Sequence, residues 1–127
     1  SDFVELQSLK NLLFYSSTFN KQKVNFNLFE KVLKNMKITT KKWGGNLYFV
    51  YLPSWSRYNT NNFISNYFLK NKIKKIVEKN KIFFIDVDKI FKNNQVNNIN
   101  SYNLGIYGHY TKEVYKLISK ELVKIIN

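Results

Sequence analysis

The stretch that decides the fold is Asn46-Leu-Tyr-Phe-Val-Tyr-Leu-Pro53, an apolar run of strand length. It is rich in the aromatic and β-branched residues that favour strands, and Pro53 ends it. The run lacks strict alternation of polar and apolar residues and follows a helical pattern and the pair Gly44-Gly45. This is typical of a strand whose sheet is covered by helices on both faces. The sequence therefore predicts an α/β fold built on a parallel sheet.

Two helical patterns precede this strand. Apolar residues recur at helical spacing over residues 3–13, which predicts a helix that ends by Thr18. A second apolar stripe over residues 28–36 predicts a helix that continues to about Lys42, where the glycine pair stops it. Two helices are therefore expected to lead into the strand.

A loop, a helix and a second strand follow the first strand. Ser54–Asn62 is a predicted loop at its carboxyl end, the position where open α/β sheets bind ligands. The next helix begins near Phe63, and we expect a group of lysines on its outer face: Lys70, Lys72, Lys74, Lys75 and Lys79. Ile82–Val87 is the predicted second strand, with Asp86 and Asp88 at its carboxyl end.

The last helix has clear start signals. Thr111 is expected as its N-cap, and Glu113 lies in the first turn, where negative charge is favoured. Its apolar residues mark one face: Val114, Leu117, Ile118, Leu122 and Ile125. A short helical turn over residues 89–92 and an Asn-rich loop over residues 93–103 precede it. The order α-α-β-α-β-loop-α predicts a single three-layer αβα domain with a small parallel sheet over residues 1–127.

The composition describes a basic chain that folds. The 127 residues are 44% hydrophobic and carry a net charge of +13. Twenty of the 21 basic residues are lysine and only Arg57 is arginine, so the guanidinium groups that usually read bases and phosphates are almost absent. We interpret the charge as a solvated lysine surface and do not expect nucleic acid as a partner.

Several kinds of site are excluded or not expected. Cysteine is absent, and His109 is the only histidine, which excludes thiolate and multi-histidine metal sites. No cofactor is predicted. No apolar run is long enough for a membrane span. The sequence leaves the oligomeric state open.

His109 is the residue best suited to chemistry. Gly105 and Gly108 precede it, and the positive end of the following helix dipole disfavours the imidazolium form. A neutral histidine is what a general base requires. The alternative interpretation is a structural loop histidine that makes local hydrogen bonds.

Three segments resemble the SGNH/GDSL hydrolase family. Gly108-His-Tyr-Thr-Lys-Glu-Val-Tyr-Lys-Leu-Ile118 is similar to the family's terminal block, in which the catalytic histidine lies in a loop just before the last helix. Gly45–Pro53 is similar to the family's central strand, and Ile82–Phe91 to its late strand before the catalytic loop. The segments occur in the family's order, and the resemblance implies an SGNH/flavodoxin-like fold.

The resemblance also implies a reaction. His109 corresponds to the general base that deprotonates a serine, which attacks an ester carbonyl to give an acyl-enzyme. The acyl group then passes to water or to a sugar hydroxyl. The implied activity is that of a serine esterase or O-acyltransferase acting on carbohydrate or small acyl esters, and relatives of this type are often extracytoplasmic.

The chain departs from the family pattern in three places. It contains no Gly-Asp-Ser block with the nucleophile, and no recognisable Gly-x-Asn-Asp block for an oxyanion donor. The family's orienting Asp lies three residues before the histidine, and Ile106 occupies that position. We expect the chain to be the carboxyl-terminal part of a longer SGNH-like domain, since it begins without Met in a helical pattern. The alternative is a degenerate relative that binds without catalysing.

Two carboxylates and a serine are further candidates. Asp86 and Asp88 could orient His109 or contact substrate, although a carboxylate at a strand end more often caps a loop or helix. Ser54 lies where a nucleophile could lie, but no flanking glycine provides the strained turn that such a serine usually needs.

Aromatic residues and the single arginine complete the candidate site. Trp55, Arg57 and Tyr58 could stack on a sugar ring or stabilise an oxyanion, or they could cover part of the core. Tyr107 and Tyr110 flank the histidine and are expected to pack. The alternative function for the whole chain is a non-catalytic basic α/β module that binds an anionic polymer, either nucleic acid or acidic glycan.

Overall fold

The computed structural model describes residues 24–54, 63–96 and 109–127 of the chain. The predicted first helix lies outside the described residues, as does most of the Asn-rich loop. The chain divides into two compact units, Ser1–Asn46 and Leu47–Asn127.

The first unit contains helix α1, Phe26–Lys42. Asn25 caps its start, because the Asn25 Oδ1 accepts a hydrogen bond from the Leu28 N–H at 3.0 Å. Two residues of its apolar stripe, Phe29 and Leu33, are buried. The helix ends where Gly44 adopts a φ of +74°, a conformation that glycine takes without steric cost. The predicted helix and its end at Lys42 are therefore confirmed.

The second unit is built on two parallel strands, β1 (Tyr48–Tyr51) and β2 (Phe83–Asp86). Both lie inside the predicted strand segments. Their register pairs Tyr48 with Phe83 at one end and Tyr51 with Asp86 at the other. Aromatic rings line the pairing, with Phe49 stacked on Phe84 at a centroid distance of 5.6 Å. The described residues thus form a mixed α/β fold with a small parallel sheet, as predicted.

Helix α2, Phe63–Lys79, connects the two strands. Its residues Ile73 and Val77 are buried. The helix ends in a turn in which the Ile82 N–H donates to the Val77 carbonyl at 3.2 Å, and the chain passes directly into β2.

The expected position of Lys70 on the outer face of α2 is wrong. Lys70 is only 7% exposed, whereas Lys72, Lys75 and Lys79 are exposed as expected. The reason is helical periodicity, because Lys70 precedes Val77 by seven residues and so shares the buried face. A lysine can occupy that face only where its charge has partners.

The remaining helices are α3, Val87–Asn93, and α4, Lys112–Ile126. Helix α3 extends the short turn that the sequence predicts. The two helices form one hydrophobic cluster with β2: Ile85, Val87, Ile90, Phe91, Tyr110, Val114 and Ile118. Each large side chain buried there contributes about 1.5–3 kcal/mol relative to full exposure.

The predicted apolar face of α4 is confirmed for most of its length. Val114 and Ile118 are buried, and Leu117 and Leu122 pack against the cluster. Ile125 departs from the prediction because it remains 40% exposed although it continues the same stripe. The core thus ends about one turn before α4 does.

Candidate functional site

The candidate residues lie at the carboxyl ends of the two strands. The register pairs Tyr51, the last residue of β1, with Asp86, the last residue of β2. Pro53 and Asp88 each lie two residues beyond the end of their strand. Residues that directly follow parallel strands meet at one edge of the sheet, where ligands of α/β proteins usually bind.

His109 is held near this edge through its neighbour. Tyr110 is 6% exposed, and its hydroxyl donates a hydrogen bond to the Pro53 carbonyl just beyond β1. The Tyr110 ring also makes edge contacts with the rings of Phe91 and Tyr115, at centroid distances of 5.7 and 5.5 Å. His109 itself is exposed. The prediction that Tyr110 packs is confirmed, and this packing fixes the backbone from which the imidazole projects.

The start of α4 lies directly after His109. Thr111 is the N-cap as predicted, and its hydroxyl accepts a hydrogen bond from the Val114 N–H at 3.4 Å. Glu113 is in the first turn. The imidazole therefore lies within two residues of a capped helix N-terminus, where unpaired N–H groups give a positive potential.

A buried ion-pair cluster lies at the same edge of the sheet. The Lys70 Nζ is 2.7 Å from the Asp86 Oδ2 and 2.8 Å from the Asp88 Oδ2. It also lies 5.3 Å from the centroid of the Tyr51 ring, within the range of a cation–π contact. We call these four residues the Lys70 cluster. It connects α2 to the ends of both strands and to α3.

The Lys70 cluster is buried and well bonded. The side chains of Lys70, Asp86 and Asp88 are 9%, 10% and 17% exposed. The other carboxylate oxygen of Asp86 accepts a hydrogen bond from the Asp88 N–H at 3.1 Å, which caps α3. Charges at this depth are stable only when they are paired and hydrogen-bonded, so each member depends on the others.

The contacts of the two carboxylates bear on their predicted roles. The interpretation of Asp86 as a helix cap is confirmed. Both carboxylates form ion pairs with Lys70. Their roles in orienting His109 or contacting substrate stay predictions.

The other candidates divide by position. Ser54 is exposed just after Pro53, at the carboxyl end of β1. Trp55, Arg57, Tyr58 and Tyr107 lie outside the described residues. The structure thus brings Ser54, the Lys70 cluster and the segment of His109 to one edge of the sheet.

The burial of Lys70 at this edge of the sheet was not predicted from the sequence. Its signal was present, because Lys70, Ile73 and Val77 follow the i, i+3, i+7 pattern of one helical face. The lysine interrupts that apolar stripe, and two aspartates end the next strand. A buried lysine and an unexplained carboxylate pair together predict a salt bridge.

The described ranges show neither a metal-binding cluster nor a membrane-spanning helix. Residues 24–54, 63–96 and 109–127 contain no group of three or more histidine, aspartate or glutamate side chains that could hold a metal ion. None of the helices in these ranges combines the length and apolar character needed to cross a membrane. A groove of about 710 Å³ runs along β2, and its lining in the described residues includes Asp86 but not His109.

Comparison with known proteins adds no relative. No protein-family model matches the chain, and no curated protein or solved structure is significantly similar to it. The features that bear on function are therefore the geometry of this edge of the sheet and the residues of the terminal block.

Proposed function

We propose that this chain supplies the histidine part of an SGNH-type ester hydrolase or O-acyltransferase that acts on carbohydrate or small acyl esters. The observation that carries the proposal is the hydrogen bond from the Tyr110 hydroxyl to the Pro53 carbonyl. It ties the residue next to the exposed His109 to the carboxyl end of β1, the side of a parallel sheet that binds ligands in α/β proteins.

The proposal includes a finer fold, a three-layer αβα arrangement of the SGNH/flavodoxin-like type. Side chains of successive strand residues point to opposite faces of a sheet. Lys70 of α2 contacts Tyr51 and Asp86, whereas α3 and α4 pack with Ile85 and with Val50. Contacts to alternate residues support helices on both faces.

The chemistry proposed for His109 is that of a general base and acid. The neutral imidazole accepts the proton of a serine hydroxyl while the serine oxygen bonds to the ester carbonyl carbon. The imidazolium then gives this proton to the departing alkoxide, leaving an acyl-enzyme. In the second half, His109 accepts a proton from water or from a sugar hydroxyl while the oxygen of that acceptor bonds to the acyl carbon. The bond between the acyl carbon and the serine oxygen then breaks, and the imidazolium returns the proton to the serine.

The nucleophile and the orienting acid are separate parts of the proposal. We propose that the serine comes from a segment that precedes this chain in a longer protein. Asp86 and Asp88 are already bonded to Lys70, which supports a Ser–His pair or an acid from elsewhere. Exposure of His109 suits it to receive a nucleophile from another segment.

The test is the esterase activity of the full-length protein. We expect turnover of 4-nitrophenyl acetate to fall at least about a thousandfold in His109→Ala, because loss of a triad base removes most of the catalysis. A fluorophosphonate probe followed by peptide mass spectrometry should label one serine in the wild type and none in His109→Ala. The matched control is Lys75→Ala, an exposed residue of α2, which should keep wild-type turnover.

Wild-type turnover and labelling in His109→Ala would contradict the proposal. Absence of both activities in the wild type would contradict it as well. In that case the basic module that binds an anionic polymer becomes the better hypothesis, and binding should weaken steeply with salt.

The distribution of charge weighs against that alternative. In the described residues of the second unit, lysines other than Lys70 are exposed or half-buried and occur on α2, α3 and α4. Lysines dispersed in this way are typical of a solvated surface, whereas a nucleic-acid interface concentrates basic residues on one face.

A further inference from the structure

Strand β2 has a strand partner on one side only within the described residues, namely β1. Along its other side runs the groove of about 710 Å³, which we call the β2 groove. Helix α2 forms one wall, and α3 and α4 form the other. An edge strand presents a row of backbone N–H and C=O groups, which makes such a groove a template for another strand.

Two apolar residues of the β2 groove are more exposed than their positions predict. Phe83 starts β2 and lies on the same face as the buried Ile85, yet it is 58% exposed. Ile125 continues the buried stripe of α4, yet it is 40% exposed. Both follow the periodicity of the core and both line the groove. The apolar faces of β2 and α4 therefore extend beyond the buried core and into the β2 groove.

Each wall of the β2 groove carries both signs of charge. On α2, Lys74 and Glu78 lie one turn apart, with their charged atoms 3.8 Å from each other. On the opposite wall, α3 contributes Lys89 and α4 contributes Glu121, which pairs with Lys124 at 2.7 Å. Exposed pairs of this kind are weak and exchange partners readily. The walls therefore favour a partner whose surface also carries lysine and glutamate side by side.

We propose that the β2 groove is the interface of a symmetric dimer, in which β2 of a second copy of this chain pairs antiparallel with β2. A two-fold axis perpendicular to the sheet brings each wall against the same wall of the second copy. The two α2 helices then run antiparallel, and Lys74 faces Glu78 of the other copy. The result is a continuous four-stranded sheet in which both copies of Phe83 and Ile125 are buried.

Self-complementarity is the reason to choose a second copy as the occupant. A groove that takes an acidic or basic peptide carries an excess of the opposite charge. Among the described residues, the lining of this groove is balanced, with three lysines and three carboxylates: Lys74, Lys81, Lys89, Glu78, Asp86 and Glu121. A two-fold symmetric interface needs this balance, because the same patch of each copy contacts its equivalent on the other copy.

The first experiment is sedimentation equilibrium of the chain from about 1 μM to about 100 μM. We expect the wild type to dimerise and Phe83→Glu to raise the dissociation constant at least about 30-fold, as for a residue near an interface centre. The matched control is Phe68→Glu on α2, because Phe68 is 70% exposed and does not line the groove. A wild type that stays monomeric throughout overturns the proposal, and so does equal loss of dimer in the two variants.

A charge exchange tests the interface without altering the core. Lys74→Glu should weaken the dimer about tenfold, because it sets like charges against each other across the axis. The double variant Lys74→Glu with Glu78→Lys should recover wild-type affinity. If the double variant is as weak as the single one, Lys74 and Glu78 do not face each other and the antiparallel arrangement is wrong.

A single introduced cysteine tests the symmetry, since the chain has none of its own. An antiparallel strand pair about a two-fold axis sets one residue opposite itself. At least one of Phe83→Cys, Phe84→Cys and Ile85→Cys should form a disulfide-linked dimer under mild oxidation, and Phe68→Cys should not. Failure of all three β2 variants in a protein that dimerises would contradict the strand pairing.

Discussion

Lys70 and His109 are both basic side chains placed near the carboxyl edge of the β1–β2 sheet. Lys70 is 7% exposed and lies within 2.8 Å of two carboxylates. His109 is exposed, and the buried residue beside it supplies the anchoring contact. The structure stabilises the charge of Lys70 with partners, whereas the contact described near His109 is made by its neighbour Tyr110. A bonded, buried charge connects elements of the fold, and an exposed imidazole on a fixed backbone is available for proton transfer.

Removal of the lysine should have the largest effect on stability. Lys70→Met leaves Asp86 and Asp88 buried beside each other without a cation, so we expect the free energy of unfolding to fall by about 3 kcal/mol or more. Urea unfolding followed by circular dichroism measures the change. Lys75→Met, at an exposed position of the same helix, should change stability by no more than about 0.5 kcal/mol.

The triple variant Lys70→Met, Asp86→Asn, Asp88→Asn sharpens this result. Because it removes the uncompensated carboxylates, it should recover part of the stability lost in Lys70→Met. Asparagine at position 86 keeps an oxygen that can cap α3, so a triple variant less stable than the single one would contradict this account of the ion pairs.

Loss of the Tyr110 hydroxyl should have a smaller effect on stability. Tyr110→Phe keeps the ring contacts with Phe91 and Tyr115 and removes the hydrogen bond to the Pro53 carbonyl. We expect a loss of about 1 kcal/mol in unfolding free energy. If the proposed function is right, the same variant should lower kcat of the full-length enzyme, because His109 loses its attachment to β1. An unchanged kcat would show that the hydrogen bond from Tyr110 to Pro53 is not needed for catalysis.

The smallest effects should come from the residues around the imidazole. Thr111→Ala removes an N-cap hydrogen bond that is already long at 3.4 Å, so about 0.5 kcal/mol is expected. His109→Gln should leave stability within about 0.5 kcal/mol of the wild type, because the side chain is exposed. The midpoint of thermal unfolding measures the stability of both variants.

A clear loss of stability in His109→Gln would favour the structural interpretation of this histidine.

Much of the fold could be predicted from local patterns. The apolar stripe and the glycine pair correctly gave α1 and its end, and the aromatic runs correctly gave both strands. Thr111 was correctly placed as the cap of α4. These features succeed because periodicity, capping and strand propensity depend on residues within a few positions of each other.

The candidate site was predicted less completely. The sequence directed attention to His109, Asp86 and Asp88, but it placed Lys70 on the solvent side of α2. Lys70 is separated from Asp88 by 18 positions, and periodicity within one helix carries no information about a partner that far away. Composition reinforced the error, because in a chain with so many lysines each one is interpreted as solvated.

By itself, the amino-acid sequence determined the helices and strands of the described residues, the parallel α/β character and the isolation of one histidine before the last helix. Only the tertiary structure decided which charges are buried, what Tyr110 binds and which residues line the groove along β2. The physical reason is that local structure follows from short-range sterics and hydrogen bonds, whereas the state of a charged side chain depends on the partners that folding brings to it.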